Sequence, residues 1–263
     1  MTESTALDLA HDAMMQAEGE DAARLRFFAQ LSDAELLLLL EDEPQGDALT
    51  PQLFEVEEGQ FVLAFDSEER LAAFAEATVP YAALSGRVLA EMLAGQGIGL
   101  GLNLGVAPSS MLIPAEAMGW LTETVAQTPD EASARLISAQ PPRGLPERLL
   151  SALDAKLASA GALAQAAFLA EVTYAGGARG HLLGFVEAED RVHSALAKAV
   201  SEALIFSGLE AGALDVGFFK ADDPMTDRLM RAGMPIDLPK PAPQTTAAPV
   251  APGMDPKKPP KLR

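Results

Sequence analysis

The sequence contains no cysteine, which excludes disulfides, thiolate metal ligands and cysteine nucleophiles in one step. Histidine occurs only at His11, His181 and His193, and no H-E-x-x-H or comparable metal-ligand spacing surrounds them. Aromatic residues are 5% of the chain, so a core has to be assembled mainly from Leu, Ala, Val, Met and a few Phe. No uncharged apolar run approaches the roughly 18 residues of a membrane span. The N-terminal MTESTALDLAHDAMMQAEGEDAA has acidic residues where a secretory signal needs a basic start and an apolar stretch. These deficits together lead to the expectation of a soluble, cytoplasmic protein with no metal and no bound cofactor.

Positive charge is the other scarcity. Lys and Arg number 19 against 38 Asp and Glu, a net charge of −19 over 263 residues. In residues 239–263, Lys240, Lys257, Lys258, Lys261 and Arg263 oppose Asp255 alone, giving that segment +4 and leaving −23 for the body. A body this acidic repels phosphate backbones and anionic lipid, so nucleic acid is not expected as its partner. The same 25 residues hold eight prolines and almost no large apolar side chains. Such a composition does not offset the entropy of ordering, and a disordered tail is expected.

Composition divides the rest into an N-terminal domain over 1–127, a linker over 128–144 that closes on QPPRG, and a C-terminal domain over 145–238. Within the first, the run LLLLL stops at Glu41-Asp42-Glu43-Pro44 and suits a buried strand better than a helix, although Ser32-Asp33-Ala34-Glu35 ahead of it has capping-box spacing. LFEVEEGQFVLAF is a hairpin pattern over Leu53 to Phe65. DSEERLAAFA then opens a helix, and a second helix runs from about Ser85 to Gly95.

The stretch GQGIGLGLNLG comes next. Counted from Gly95 the sixth position is Leu100, and from Gly99 it is Leu104, so G-x-G-x-x-G fails. No glycine here precedes Lys and Ser or Thr, so the phosphate-loop pattern fails too. Instead Ile98, Leu100, Leu102 and Leu104 alternate with Gly97, Gly99, Gly101 and Asn103, which is strand periodicity with one apolar face and one nearly bare. Glycines in a strand admit a close neighbour, here expected to be a helix, or else a ligand.

The segment order from this hairpin through FVLAFDSEERLAAFA, YAALSGRVLAEMLAG and IGLGLNLGVAPSSMLIP resembles the N-terminal domain of the SseB family, named for enhanced serine sensitivity. The matching positions are Phe65 to Leu71 and Asn103 to Ser110, with Asp66 where the family commonly has Thr and Leu104 where it commonly has Pro. LPERLLSALDAKLASAGALAQAAFLAEV followed by GHLLGFVEAE resembles the family's C-terminal domain, which takes the similarity from about Asp21 to Leu238. The resemblance implies no established catalytic site.

In the C-terminal domain, Leu145 to Ala158 reads as a helix, Phe168 to Tyr174 and His181 to Glu187 as a hairpin, and Val192 to Ala203 as a helix with a continuous apolar stripe. A strand over Leu214 to Phe219 and a helix over Pro224 to Arg231 follow. The whole is expected to be α+β: two small mixed α/β-sheet domains with helices packed on sheets, the helices of the second lying on one face. No G-x-S-x-G elbow occurs, and Ser109 and Ser110 read as a turn or cap before a strand at Met111 to Ile113. Two functional classes follow. One is a non-enzymatic binding or regulatory protein with an unknown protein or small-molecule partner. The other is an enzyme of unrecognised type. In either, the candidate ligand or partner surface is Asn103, Gly105 and Ser109, and no residue is assigned as catalytic.

Overall fold

The computed structural model describes residues 4–17, 19–43, 49–57, 59–127, 135–158, 160, 163–209 and 214–238. The expected disordered tail, residues 239–263, lies outside the described residues, as does much of the 128–144 linker. The N-terminal half runs α1 (Ala6–Gln16), α2 (Asp21–Asp33), β1 (Glu35–Leu39), β2 (Leu53–Val56), β3 (Gly59–Phe65), α3 (Glu68–Ala75), β4 (Tyr81–Ser85), α4 (Gly86–Leu93), β5 (Ile98–Leu102), β6 (Met111–Ile113) and α5 (Ala115–Ala126). The C-terminal half continues with β7 (Leu136–Gln140), α6 (Glu147–Leu157), β8 (Ala166–Tyr174), β9 (Arg179–Val186), a short 3-10 turn, α7 (His193–Phe206), β10 (Asp215–Phe219), α8 (Pro224–Ala232) and β11 (Met234–Ile236).

The first sheet has the order β4-β1-β3-β5-β6, with β2 also pairing β3. Pairing is antiparallel except between β3 and β5, whose parallel register sets Phe61 beside Gly99 and Leu63 beside Gly101. The leucine run is a strand because both faces of β1 are covered. Leu36, Leu38 and Leu40 enter the core beneath α2, α4 and α5 with Phe27, Leu31, Leu89 and Leu121. Leu37 and Leu39 face the opposite way, with Leu63, Phe65 and Leu71 of α3. A strand buried on both sides is apolar at every position, and period two is hidden in an unbroken run. Ser32 and Asp33 belong to the end of α2.

The glycines of β5 are explained by the strand beside them. A Cβ on Gly99 would lie 2.5 Å from the Phe61 ring and 2.6 Å from the Ile113 carbonyl oxygen, and one on Gly101 would lie 2.5 Å from a Leu63 methyl and 2.8 Å from Leu104. Close approach is therefore required, but by β3 side chains and the β6 backbone. This corrects the expected helix contact. Large residues on β3 fill the space that the bare face of β5 vacates, because cross-strand neighbours on one face share it. Gly97 precedes the strand and turns the chain with φ +71°.

The second sheet has the order β10-β9-β8-β11, with β7 paired to β8, and only β9 and β10 run parallel. Helices α6 and α7 pack Leu149, Leu153, Leu196 and Val200 on one face. Helix α8 places Met225 and Leu229 against Ala170, Val172 and Leu182 on the other, so both faces carry helices, where one was expected. Part of the expected linker, Leu136–Gln140, is strand β7. It stops where Pro141 and Pro142 remove the donors a further ladder would need.

Among the described residues, apolar packing around Phe206 and a cluster of ion pairs join the halves. Phe206 of α7 is buried in the N-terminal core. Beside it, Arg87 donates to Glu202 at 3.0 Å and to Asp33 at 2.6 Å, while Lys156 donates to Asp33 at 2.6 Å and Glu202 at 2.9 Å. Two cations and two carboxylates alternate, so no charge in this contact is left unpaired. Burial alone pulls the Arg87 guanidinium down, yet the hydrogen bonds and charges of Glu202 and Asp33 outweigh it and raise its pKa.

Candidate functional site

The loop after β5 brings two of the three sequence-selected residues together. Asn103 adopts a left-handed backbone with φ +47°, a conformation Asn tolerates better than most residues. Its side chain satisfies both of its ends: Oδ1 accepts from the Asp66 amide at 3.1 Å, and Nδ2 donates to Ser109 Oγ at 2.9 Å. Asn103 and Ser109 are both fully buried. Gly105 is apart from them, exposed at the tip of the loop, with φ +71° and its amide donating to Ser110 Oγ at 2.9 Å. Ser109 thus sits inside the loop and Ser110 ties its outer turn.

The residues that complete the site come from far away in sequence. Ser109 donates its hydroxyl to Asp8 Oδ1 at 2.6 Å and its amide to the same oxygen at 3.2 Å. Arg70, on α3, donates Nη1 to Asp8 Oδ1 at 3.2 Å and to Asp66 at 2.7 Å, while its Nη2 bonds Asp8 Oδ2. Thr5 caps α1: its amide donates to Asp8 Oδ2 at 3.0 Å and its hydroxyl to Asp66 Oδ2 at 2.7 Å. The Arg70 side chain is 2% exposed, that of Asp8 1% and that of Asp66 5%. One guanidinium thus neutralises part of a two-carboxylate pocket, and hydroxyl and amide donors supply the remainder.

The electrostatics follow from this donor set. Burial pushes the Asp8 carboxyl up, but hydrogen bonds from Arg70, Ser109 and Thr5 overcome it and hold the pKa at about 2. For Arg70, burial acts downward and is outweighed by Asp8 and Asp66, which raise it. A carboxylate so strongly stabilised is a poor proton acceptor, and it is the acceptor that Ser109 has. His11, one turn after Asp8, packs edge-on against Phe27 at 6.0 Å, and its Nδ1 has no partner among the described residues. The cluster therefore lacks the activated base a nucleophilic serine requires. What it does chemically is clamp α1, α3 and the Asn103–Ser110 loop to one another.

Sequence reasoning missed Thr5, Asp8, Asp66 and Arg70. A signal for two of them was present, because Thr5-x-x-Asp8 has capping-box spacing, and both halves of that box are formed. Arg70 sits next to Leu71 on a short amphipathic helix and carries no local mark of burial. The histidines meet other fates. His181 Nε2 contacts the Arg143 carbonyl at 2.9 Å, and His193 stacks on Phe218 with centroids 3.8 Å apart. Among the described residues, no group of three His, Asp or Glu is arranged to hold a metal. No helix among them is long and apolar enough to cross a membrane.

Comparison with known proteins gives a match within the N-terminal half. Residues 10–120 match the family model described as SseB protein N-terminal domain. Neither curated proteins nor solved structures gave a match. The matched region contains Asp66, Arg70, Asn103 and Ser109, while Thr5 and Asp8 stand just ahead of it. Over residues 10–120, the chain therefore carries an SseB-type N-terminal domain.

Proposed function

We propose that the protein works by binding, as a non-enzymatic regulatory protein. One observation carries this reading: Ser109 and Asn103, the residues best placed to serve a reaction, are fully buried and spend their polar groups on each other and on Asp8 and Asp66. A substrate would have to unfold the loop to reach them. The partner surface is then the outside of that loop at Gly105, with Asn103 and Ser109 as its internal braces. A link to serine or related amino acids rests on the family's name, and a reducing cytoplasm suits a cysteine-free chain. The acidic body favours a protein or small molecule over nucleic acid as partner.

The test is a thermal-shift screen of serine and related amino acids, followed by titration calorimetry and product analysis on each hit. Saturable binding without turnover is expected. Turnover that survives repurification and is lost in Ser109→Ala would refute the reading.

A further inference from the structure

Helices α2 and α5 leave between them a cleft of about 400 Å³ lined by Arg24, Phe28, Pro114, Glu116, Ala117 and Trp120. Trp120 is the chain's single tryptophan and is 38% exposed. Its ring meets Phe28 edge-on at 5.3 Å and Phe206 at 6.5 Å, so the indole is held in place while part of it stays open. A fixed indole beside a phenyl ring and a proline is a surface on which extended proline-rich segments dock, since their rings pack flat on aromatics and little entropy is lost. The charges around it suit a basic guest. Arg24 is already paired with Asp21 at 3.0 Å. Glu116 and Glu123 flank Trp120 on α5, four residues before and three after it, and both are exposed.

We propose that this cleft receives the chain's own proline-rich basic segment, with Pro256–Arg263 (PKKPPKLR) seated against Trp120. Lys257, Lys258, Lys261 and Arg263 then face the carboxylates of α5 and of a body carrying −23 against the segment's +4. Distance is no obstacle. The described chain ends at Leu238, and residues 239–255, the tether ahead of Pro256, span on the order of 50 Å at about 3.1 Å each when extended. A compact body of this size is only about 45 Å across. Tethering supplies an effective concentration near the millimolar range, so an isolated peptide affinity on the order of 100 μM suffices to fill the cleft.

Trp120 itself reports the outcome. The comparison is between the full wild-type chain and a full-length variant with Lys257, Lys258, Lys261 and Arg263 all changed to Ser, followed by tryptophan emission and acrylamide quenching. Quenching in the variant is expected to be about twofold stronger at low salt, with the difference vanishing toward 1 M NaCl, where screening cuts in within about 3 Å. A synthetic peptide of residues 253–263 added to the variant is expected to restore the wild-type signal, and Trp120→Phe is expected to weaken peptide binding severalfold by calorimetry without altering the circular dichroism. Equal quenching in the two proteins at low salt overturns the proposal, as does a difference indifferent to salt. Concentration dependence assigns the guest to a second copy and overturns the intramolecular form. Peptide binding that leaves Trp120 unchanged and is lost in Tyr81→Ala moves the site to a cleft between α3 and β4, and overturns this one.

Discussion

Replacing Arg70 with Met keeps most of the side-chain volume and removes the charge on which the buried cluster depends. Two carboxylates, Asp8 and Asp66, would then remain in a pocket where their side chains are 1% and 5% exposed. Removing one partner of a buried ion pair costs about 3–5 kcal/mol, and this guanidinium serves two acids, so the upper half of that range is expected. A whole domain is stable by only about 5–15 kcal/mol, which leaves the variant close to unfolding at 25 °C. Urea denaturation followed by Trp120, which lies in the N-terminal domain, reads the loss directly.

The pH dependence of the same variant carries a sign. In the wild type the Asp8 pKa is lowered from 3.8 to about 2. Its contribution, about 2.5 kcal/mol at 1.36 kcal/mol per unit, is fully present above pH 3.8 and lost as pH falls through 2. Without Arg70, the largest effect opposing burial at Asp8 is gone and burial pushes that carboxyl up, so acidification from pH 7 toward 4.5 neutralises it and stabilises the fold. The variant should therefore gain stability where the wild type does not. An Arg70→Met protein within about 0.5 kcal/mol of wild type at pH 7, or one whose pH profile runs parallel to it, would show that Asp8 and Asp66 do not depend on this guanidinium.

Gly101→Val should destabilise by about 1–3 kcal/mol in thermal melts, because its side chain would enter the space held by Leu63 and Leu104; Gly105→Ala, which meets nothing within 4 Å but sits at φ +71°, should cost about 1 kcal/mol from backbone strain alone. Asn103→Ala loses two hydrogen bonds and puts Ala in the left-handed region, a combined loss of about 2–4 kcal/mol by urea denaturation. Glu202→Gln weakens the ionic contact between the domains and should split a single calorimetric transition into two, at a cost of about 1–3 kcal/mol.

Much of the layout was legible because it is written in local periodicity. The alternation around Gly99 and Gly101 excluded a phosphate loop and placed a strand, and the stop at Pro44 made the leucine run a strand as well. What lies against those glycines was not legible, since the answer is the register between β3 and β5, a long-range pairing no local window contains. The same holds for α8 on the far face of the second sheet, and for β7 inside a stretch whose Pro141 and Pro142 read as linker. The candidate site was half visible. Asn103 and Ser109 stood out at the end of a strand, but their partner Asp8 is separated from Ser109 by 101 positions, and a buried Arg on an amphipathic helix is indistinguishable in sequence from a solvated one.

The proposed binding role requires the cluster at the end of the glycine strand to be a closed structural clamp and not an open reaction centre. Amide hydrogen exchange at Ser109 and Asp66, whose N–H groups donate to Asp8 and Asn103 at 3.2 Å and 3.1 Å, tests it most directly. Both amides are expected to exchange only through global opening of the N-terminal domain, as slowly as those of β1 and β3. Exchange at rates typical of an exposed loop, with β1 still protected, would contradict it.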